Sequence, residues 1–209
     1  MFLPISTDRP RKRPTLITYW LMGLSIGVFL VMRVLWSRDP VLYARIWETM
    51  MFVPETPTLL GLIGYQFQHA NLMHLLGNML FLWVFGPPVE DRFGRVGFAV
   101  FYLVGGVAAA GMHAMVEPNS MIGVVGASVS ISGVTGAFLV LFPLTRIRLL
   151  LFFIIIGVYA IPAWWFIVFA IAKDMFYGAM GGGNIAWAAH LGGYAYGAAV
   201  SMALLWRRV

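Results

Sequence analysis

The chain has 209 residues, of which 61% are hydrophobic and only 11% are charged, and its mean hydropathy is +0.85. This composition excludes an ordinary water-soluble domain and indicates a protein whose solvent is lipid. The net charge of +6 and the pI near 10.0 raise nucleic-acid binding as an alternative. Because the chain has no cysteine, disulfides, thiolate metal ligands and thiol catalysis are excluded.

Apolar stretches long enough to cross a bilayer, about 20 residues each, follow one another along the chain. They cover approximately residues 16–36, 69–85, 96–116, 122–144, 149–171 and 186–206, and the second ends before Gly86, Pro87 and Pro88. We therefore predict an all-α membrane protein, a polytopic bundle of about six transmembrane helices. Its predicted parts are a short basic cytoplasmic tail over residues 1–15 and a single transmembrane domain over residues 16–209.

The positive charges predict the orientation, because Lys and Arg near span ends are retained on the cytoplasmic side. With the N-terminus inside, the outer side keeps only Arg33, Arg38, Arg45 and Lys173. Both termini are then cytoplasmic, and this distribution explains the basic pI without nucleic acid. The long segment 37–68 on the outer side is rich in aromatic residues, which predicts pieces lying in the membrane interface.

A few polar side chains fall inside the predicted spans, where an unpaired polar group costs several kcal/mol. They are His69, His74 and Asn78 in the second span, Ser128, Ser130 and Ser132 in the fourth, and His190 in the sixth. His74 and Asn78 are four residues apart and share one helix face. All three spans run from outside to inside, so we expect one layer, roughly 5 to 15 Å below the outer surface, to contain His74, Asn78, Ser128 and His190.

Small residues recur every four positions on two of these spans. They are Ala189, Gly193, Gly197 and Ser201 in the sixth span and Ser128, Ser132 and Gly136 in the fourth. Such faces let helix backbones approach closely. A serine and a histidine on facing seams can come within hydrogen-bond distance, which is what activation of a nucleophile requires.

Simpler interpretations remain open for each polar residue. Ser130 alone is most simply bonded to its own helix backbone, and His113 in the third span can be a packed, hydrogen-bonded residue. A metal site of His69, His74 and His190 is a further alternative. Against a metal, no carboxylate falls inside the spans, since the nearest acidic residues lie at span ends or loops: Glu90, Asp91, Glu117 and Asp174. We therefore predict neither a metal nor another cofactor.

Over about residues 67–197, four motifs in order resemble the rhomboid intramembrane serine proteases. The motifs are the run His69–Met79; Gly86, Glu90 and Gly94; Gly126, Ala127 and Ser128 followed by Gly133, Gly136, Ala137 and Pro143; and Ala189–Gly193 with Gly197. The resemblance implies that Ser128 is the nucleophile and His190 the general base, a dyad without an aspartate. It also implies an oxyanion hole made by the side chains of His74 and Asn78 and the backbone N–H of Ser128.

The resemblance assigns supporting roles as well. His69, Gly126 and Gly193 would support the site, and a mobile cap loop over residues 173–184 would contain Met175, Phe176 and Tyr177. Two positions depart from the family pattern. Val129 stands where a glycine usually follows the nucleophile, and Ser132 stands where an aromatic residue often stacks on the base. Ser132 followed by Gly133 is an alternative nucleophile register, disfavoured because the flanking glycines, Ala137 and Pro143 fit the register with Ser128.

The resulting expectation is a serine endopeptidase that cleaves transmembrane proteins in or near their membrane segments. Its partners would be transmembrane protein substrates and membrane lipids, with no nucleic acid, and the sequence does not predict an oligomeric state. The expected location is a bacterial plasma membrane, with the site opening to the outside, and a mitochondrial membrane is the alternative. The alternatives are a catalytically inactive rhomboid-like protein that binds or escorts membrane clients, and a small transporter or channel, which would need charged residues inside its spans.

Overall fold

The computed structural model describes residues 2–10, 12–152, 156–180 and 187–206. These residues form a helical bundle with a small sheet beside it. The helices are α1 (Ile17–Arg38), α2 (Pro40–Met50), α3 (Leu59–Gly64), α4 (Leu72–Phe93), α5 (Arg95–Val116), α6 (Ser128–Leu141), α7 (Ala163–Ala179) and α8 (Trp187–Trp206). The strands are β1 (Phe2–Thr7), β2 (Arg146–Phe152) and β3 (Ile156–Pro162).

The predicted helical membrane bundle is confirmed. Within the described residues, α1, α4 and α5 are each 22 residues long and apolar enough to cross a bilayer. The other predicted spans correspond to α6, α7 and α8, of 14, 17 and 20 residues. Large apolar side chains are exposed on α1, α4, α5, α7 and α8, as in the stripe of Val96, Val100 and Val104 along α5. Because such a surface is stable against lipid and not against water, the chain is an integral membrane protein.

Two span boundaries differ from the prediction. α4 does not end before Gly86 but continues through Pro87 and Pro88 to Phe93, with the segment from Val84 to Glu90 buried in the bundle. Burial and the anchoring of Glu90 offset the hydrogen bonds that the prolines cannot donate. The fourth span begins at Ser128 rather than at residue 122, because Val124 pairs with Phe52 in an isolated antiparallel bridge.

The predicted fifth span is wrong over its first half. Instead of one helix from residue 149, the chain forms β2 and β3 and starts α7 only at Ala163. The sheet is antiparallel in the order β1-β2-β3. Its edge strand β1 is therefore formed by residues of the predicted tail. Along β2, Ile147 and Leu149 are buried while Arg146 and Arg148 are exposed, the period-two alternation of a strand with one buried face.

The buried carboxylate of Glu90 joins α4 to the start of α1. It accepts hydrogen bonds from the backbone N–H groups of Leu16, Ile17 and Thr18 at 2.8, 2.9 and 2.8 Å, and from the Thr18 hydroxyl at 2.7 Å. The N-cap side chain of α1 makes no such bond. Glu90 therefore supplies the cap from another helix and satisfies N–H groups that α1 leaves without a partner.

The predicted seam between α6 and α8 brings the two backbones into contact. A Cβ at Gly193 would lie 2.6 Å from the Val129 carbonyl oxygen, and one at Gly197 would overlap the Gly133 carbonyl oxygen. Gly136 likewise has backbone atoms of Tyr194 where its Cβ would be. Because only glycine permits this approach, the seam fixes the height of α8 relative to α6, and with it the relative positions of Ser128 and His190.

Candidate active site

Ser128 and His190 meet where α6 and α8 begin. The Oγ of Ser128 lies 2.9 Å from Nε2 of His190. With the neutral ring protonated on Nδ1, the hydroxyl donates to Nε2, which is the arrangement a general base needs. Both residues are partly exposed, the His190 side chain to 17%, so a reactant can reach the pair.

Ser128 is also the first residue of α6. At that position its backbone N–H has no intrahelical acceptor, and the positive end of the helix dipole favours a nearby negative charge. The preceding turn depends on Gly126, whose φ of 127° lies in the region that glycine favours. Its N–H donates to the Tyr65 carbonyl at 2.9 Å, which holds this turn against the segment after α3.

His74 lies against the same turn. A Cβ on Gly126 would be 2.7 Å from Nε2 of His74 and 3.6 Å from Oγ of Ser128, so this edge of the imidazole and the serine hydroxyl border the same small space. The Asn71 side chain caps α4 by accepting a hydrogen bond from the His74 N–H at 2.9 Å. This cap fixes the start of the helix, and with it the position of His74 in the first turn.

His69 packs edge-on against His74, with ring centroids 5.3 Å apart. It precedes α4 and lies 3.2 Å through Nδ1 from the Phe67 carbonyl oxygen, to which Nδ1–H donates. Burial, and next the neighbouring His74 ring, lower the pKa of His69 to about 4. The His69 ring is therefore neutral near pH 7, and it packs against the His74 ring.

Asn78 lies one turn along α4 from His74 and is only 7% exposed. Its side-chain nitrogen is buried and has no hydrogen-bond partner among the described residues. Buried amide groups are rarely left unpaired, so this N–H₂ has free donors for a ligand atom. Together His74, Asn78 and the Ser128 N–H are the donors that the family resemblance assigns to an oxyanion hole.

The remaining serines of α6 are already paired. Ser132 donates to the Ser128 carbonyl at 2.9 Å, so in this structure it is bonded within its own helix. Ser130 bonds the Gln66 side chain at 2.9 Å rather than its own backbone, which corrects the simple interpretation above. Val129 is 1% exposed and packs into a small apolar cluster with Tyr65 and Ala189, so its side chain is accommodated in the core.

The sequence analysis did not predict the contact between Asp174 and His190. Its Oδ2 lies 3.2 Å from Nδ1 of His190, on the ring edge opposite Ser128. The family resemblance implies a dyad without an aspartate, whereas here the packing of α7 against α8 brings a carboxylate to the ring. One signal was available in the sequence: Asp174 is the only acidic side chain after Glu117.

The predicted cap loop is partly helical. Met175, Phe176 and Tyr177 lie on the last turns of α7, with exposed side chains, because the apolar periodicity of this helix continues to Ala179. Residues 181–184 of the predicted loop lie outside the described residues. Within the part of the chain that the structure describes, no three His, Cys, Asp or Glu side chains cluster as metal ligands.

Fold and site together define a polytopic membrane protein with a serine hydroxyl and an imidazole paired beside unfilled hydrogen-bond donors. The profile of the Rhomboid domain family matches residues 56–207, and the chain belongs to this family. It is 29% identical over 188 residues to Rhomboid protein 1, mitochondrial, of Saccharomyces cerevisiae, covering 88% of this chain and 51% of that protein.

Two further relatives match over shorter stretches of the chain. Rhomboid-like protein 11, chloroplastic, of Arabidopsis thaliana is 30% identical, covering 60% of this chain and 41% of that protein. Rhomboid protease GlpG of Serratia proteamaculans is 26% identical, covering 44% of this chain and 32% of that protein. The chain thus spans about half or less of the length of these relatives. Two of them have organellar names, so they give no support to a bacterial plasma membrane.

Proposed function

We propose that the chain is a serine endopeptidase that cleaves transmembrane protein substrates within the membrane. The observation that carries this proposal is the 2.9 Å contact between Ser128 Oγ and His190 Nε2. The buried Asn78 amide nitrogen, which has no hydrogen-bond partner among the described residues, supports it. The relative named Rhomboid protease GlpG supports the same reaction class. An inactive client-binding protein would share the fold but would not require this contact.

The proposed reaction begins when Nε2 of His190 takes the Ser128 hydroxyl proton as Oγ attacks the substrate carbonyl carbon. The carbonyl oxygen becomes an oxyanion that accepts hydrogen bonds from His74, Asn78 and the Ser128 N–H. Each such donor contributes about 3 to 4 kcal/mol to transition-state stabilisation. His190 then gives its proton to the leaving amine, and water hydrolyses the acyl-enzyme with the same histidine as base.

The substrates we propose are single-span proteins whose helices unwind locally. A carbonyl within an intact helix is hydrogen-bonded and shielded, so only an extended stretch presents it to Ser128. We also propose that both termini lie on the side of the membrane where Lys and Arg are retained, with the site open to the opposite side, on the basis of the Lys and Arg distribution. Fusing a reporter to the C-terminus tests this orientation.

The decisive experiment uses a fluorophosphonate probe on the purified full chain, with peptide mapping of the modified residue. We expect labelling at Ser128, and loss of both labelling and cleavage of a model transmembrane substrate in Ser128→Ala and His190→Ala. Thermal unfolding of each variant in detergent serves as the folding control. Labelling at Ser132 would overturn the assigned register, and cleavage retained in either variant would reject the proposed pair.

A further inference from the structure

Asp174 reaches the proposed base from a third helix. Its side chain is 7% exposed, and Oδ2 lies 3.2 Å from Nδ1 of His190 while Nε2 of the same ring faces Ser128. Hydroxyl, imidazole and carboxylate therefore follow one another from α6 through α8 to α7. Nδ1 has no aligned hydrogen bond among the described residues, so the contact in this structure is a close electrostatic one.

The packing of α7 on α8 explains why this carboxylate faces this ring. A Cβ on Gly178 would lie 2.6 Å from the Trp187 ring, so the end of α7 and the start of α8 touch at a glycine. Gly178 follows Asp174 by about one turn, and Trp187 precedes His190 by nearly one turn. In two helices that run in opposite directions, this contact brings Asp174 level with His190.

A simple surface ion pair does not account for Asp174. Lys173 Nζ does contact it at 2.9 Å, but through the other oxygen, Oδ1, and the lysine is 49% exposed whereas the aspartate is buried. An exposed lysine pair is worth little and does not require burial of its carboxylate. Burial of Asp174 is useful where its charge acts on His190, because a less polar environment strengthens that interaction.

We propose that Asp174 is a positioning residue for His190, an inference that rests on the proposed function. Its carboxylate favours the tautomer with the proton on Nδ1, which leaves the Nε2 lone pair free for the Ser128 proton. When His190 takes that proton, Asp174 stays ionised and stabilises the imidazolium. The site thereby works as a Ser–His–Asp triad. The carboxylate holds the His190 ring in place, a role that an aromatic residue at position 132 would otherwise have and that Ser132 does not fill.

The test compares Asp174→Asn, Asp174→Glu and Lys173→Gln with wild type, using the full chain and a model transmembrane substrate. For Asp174→Asn we expect kcat to fall at least about tenfold, and at most the roughly 10⁴-fold seen in soluble triads, with little change in KM. Asp174→Glu should recover part of this loss. Lys173→Gln should stay near wild type, as should Glu117→Gln, an exposed carboxylate at the end of α5.

The pH profile separates positioning from a merely structural role. Without the carboxylate the imidazolium is less stable, so the acid limb of the kcat profile of Asp174→Asn should move to lower pH. The other groups that face His190 or Asp174 are His74 from α4, Tyr194 on α8 and Lys173 on α7. All three are unchanged in this variant, so the shift reports the charge of Asp174.

Three outcomes would overturn the inference. They are a wild-type kcat and pH profile in Asp174→Asn, an equal loss in Lys173→Gln, and an unlabelled wild type, which would also reject the proposed function. Labelled wild type with a normal Asp174→Asn rejects the triad alone. If thermal unfolding measurements show that Asp174→Asn is not folded, Asp174→Glu is compared with Lys173→Gln instead. The expected result is then a loss of kcat in Asp174→Glu and none in Lys173→Gln. Equal activity in both would reject the role.

Discussion

Two of the polar centres that the described residues bury are built in opposite ways. At Glu90, both carboxylate oxygens accept hydrogen bonds from the start of α1. On α4 and in the segment before it, by contrast, the amide nitrogen of Asn78 and Nε2 of His69 have no hydrogen-bond partner among the described residues. Paired buried groups stabilise a fold, whereas a buried donor without a partner has hydrogen-bonding capacity for a reactant, which the Glu90 centre lacks.

The largest effect of a substitution is expected on stability, at the fully hydrogen-bonded carboxylate of Glu90. Glu90→Ala removes the acceptor of three backbone N–H groups and the Thr18 hydroxyl, and leaves these donors buried at Thr18 and partly buried at Leu16 and Ile17. We expect the free energy of unfolding to fall by about 4 to 6 kcal/mol, since hydrogen bonds to a charged group are worth roughly 1.5 to 3 kcal/mol each and water recovers part of the loss. Unfolding of the detergent-solubilised protein measures this change.

The control for Glu90 is Glu48→Ala, which removes an exposed carboxylate from α2 and should change stability little. At a temperature where Glu90→Ala is still folded, the fluorophosphonate labelling rate at Ser128 should match wild type. Equal stability in the two variants would contradict a structural role for Glu90, and a slow labelling rate in folded Glu90→Ala would contradict the separation of the two centres.

The sequence predicts these two centres with different success. His74, Asn78, Ser128 and His190 stand out because each is polar where lipid tolerates only apolar groups, and the glycine seam predicts that α6 and α8 touch. Glu90 and Asp174 were both assigned to span ends or loops. Their roles depend on partners 72 or more and 16 residues away in the sequence, contacts that helix packing decides and that no local pattern encodes.

The sheet was missed for a related reason. The apolar run from residue 149 has the length of a span, and composition alone does not distinguish a strand from a helix. The alternation of Arg146, Ile147, Arg148 and Leu149 is the local signal for a strand. The partner strand β1 comes from the other end of the chain, and such non-local pairing cannot be derived from either segment alone.

At the unsatisfied centre, Asn78→Ala should affect catalysis rather than stability. The lost N–H₂ has no partner in the fold, so the free energy of unfolding should change by less than about 1 kcal/mol. The transition state would lose an oxyanion donor, and we expect kcat to fall about 10²- to 10³-fold with KM nearly unchanged. Steady-state cleavage of a model substrate, with thermal unfolding measured on the same preparation, checks both parts.

Asn71→Ala is the informative control for Asn78, because it removes an asparagine from the same helix. Asn71 is exposed and caps α4, so its loss should cost about 1 kcal/mol of stability and much less activity. A stability loss in Asn78→Ala with unchanged kcat would place Asn78 with Glu90, as a structural group, and would remove it from the proposed oxyanion hole.

The smallest effect is expected at Ser132, which lies one turn from Ser128 yet is satisfied like Glu90. Its hydroxyl donates to the Ser128 carbonyl within the same helix, so Ser132→Ala removes one local bond worth about 1 kcal/mol and nothing that a substrate would contact. Cleavage should stay within about threefold of wild type, because the Ser128 to His190 contact is untouched. Comparing kcat and probe labelling of Ser132→Ala with Ser128→Ala tests this directly. Abolished cleavage and labelling in a normally folded Ser132→Ala would make Ser132 the nucleophile and would reject the register with Ser128.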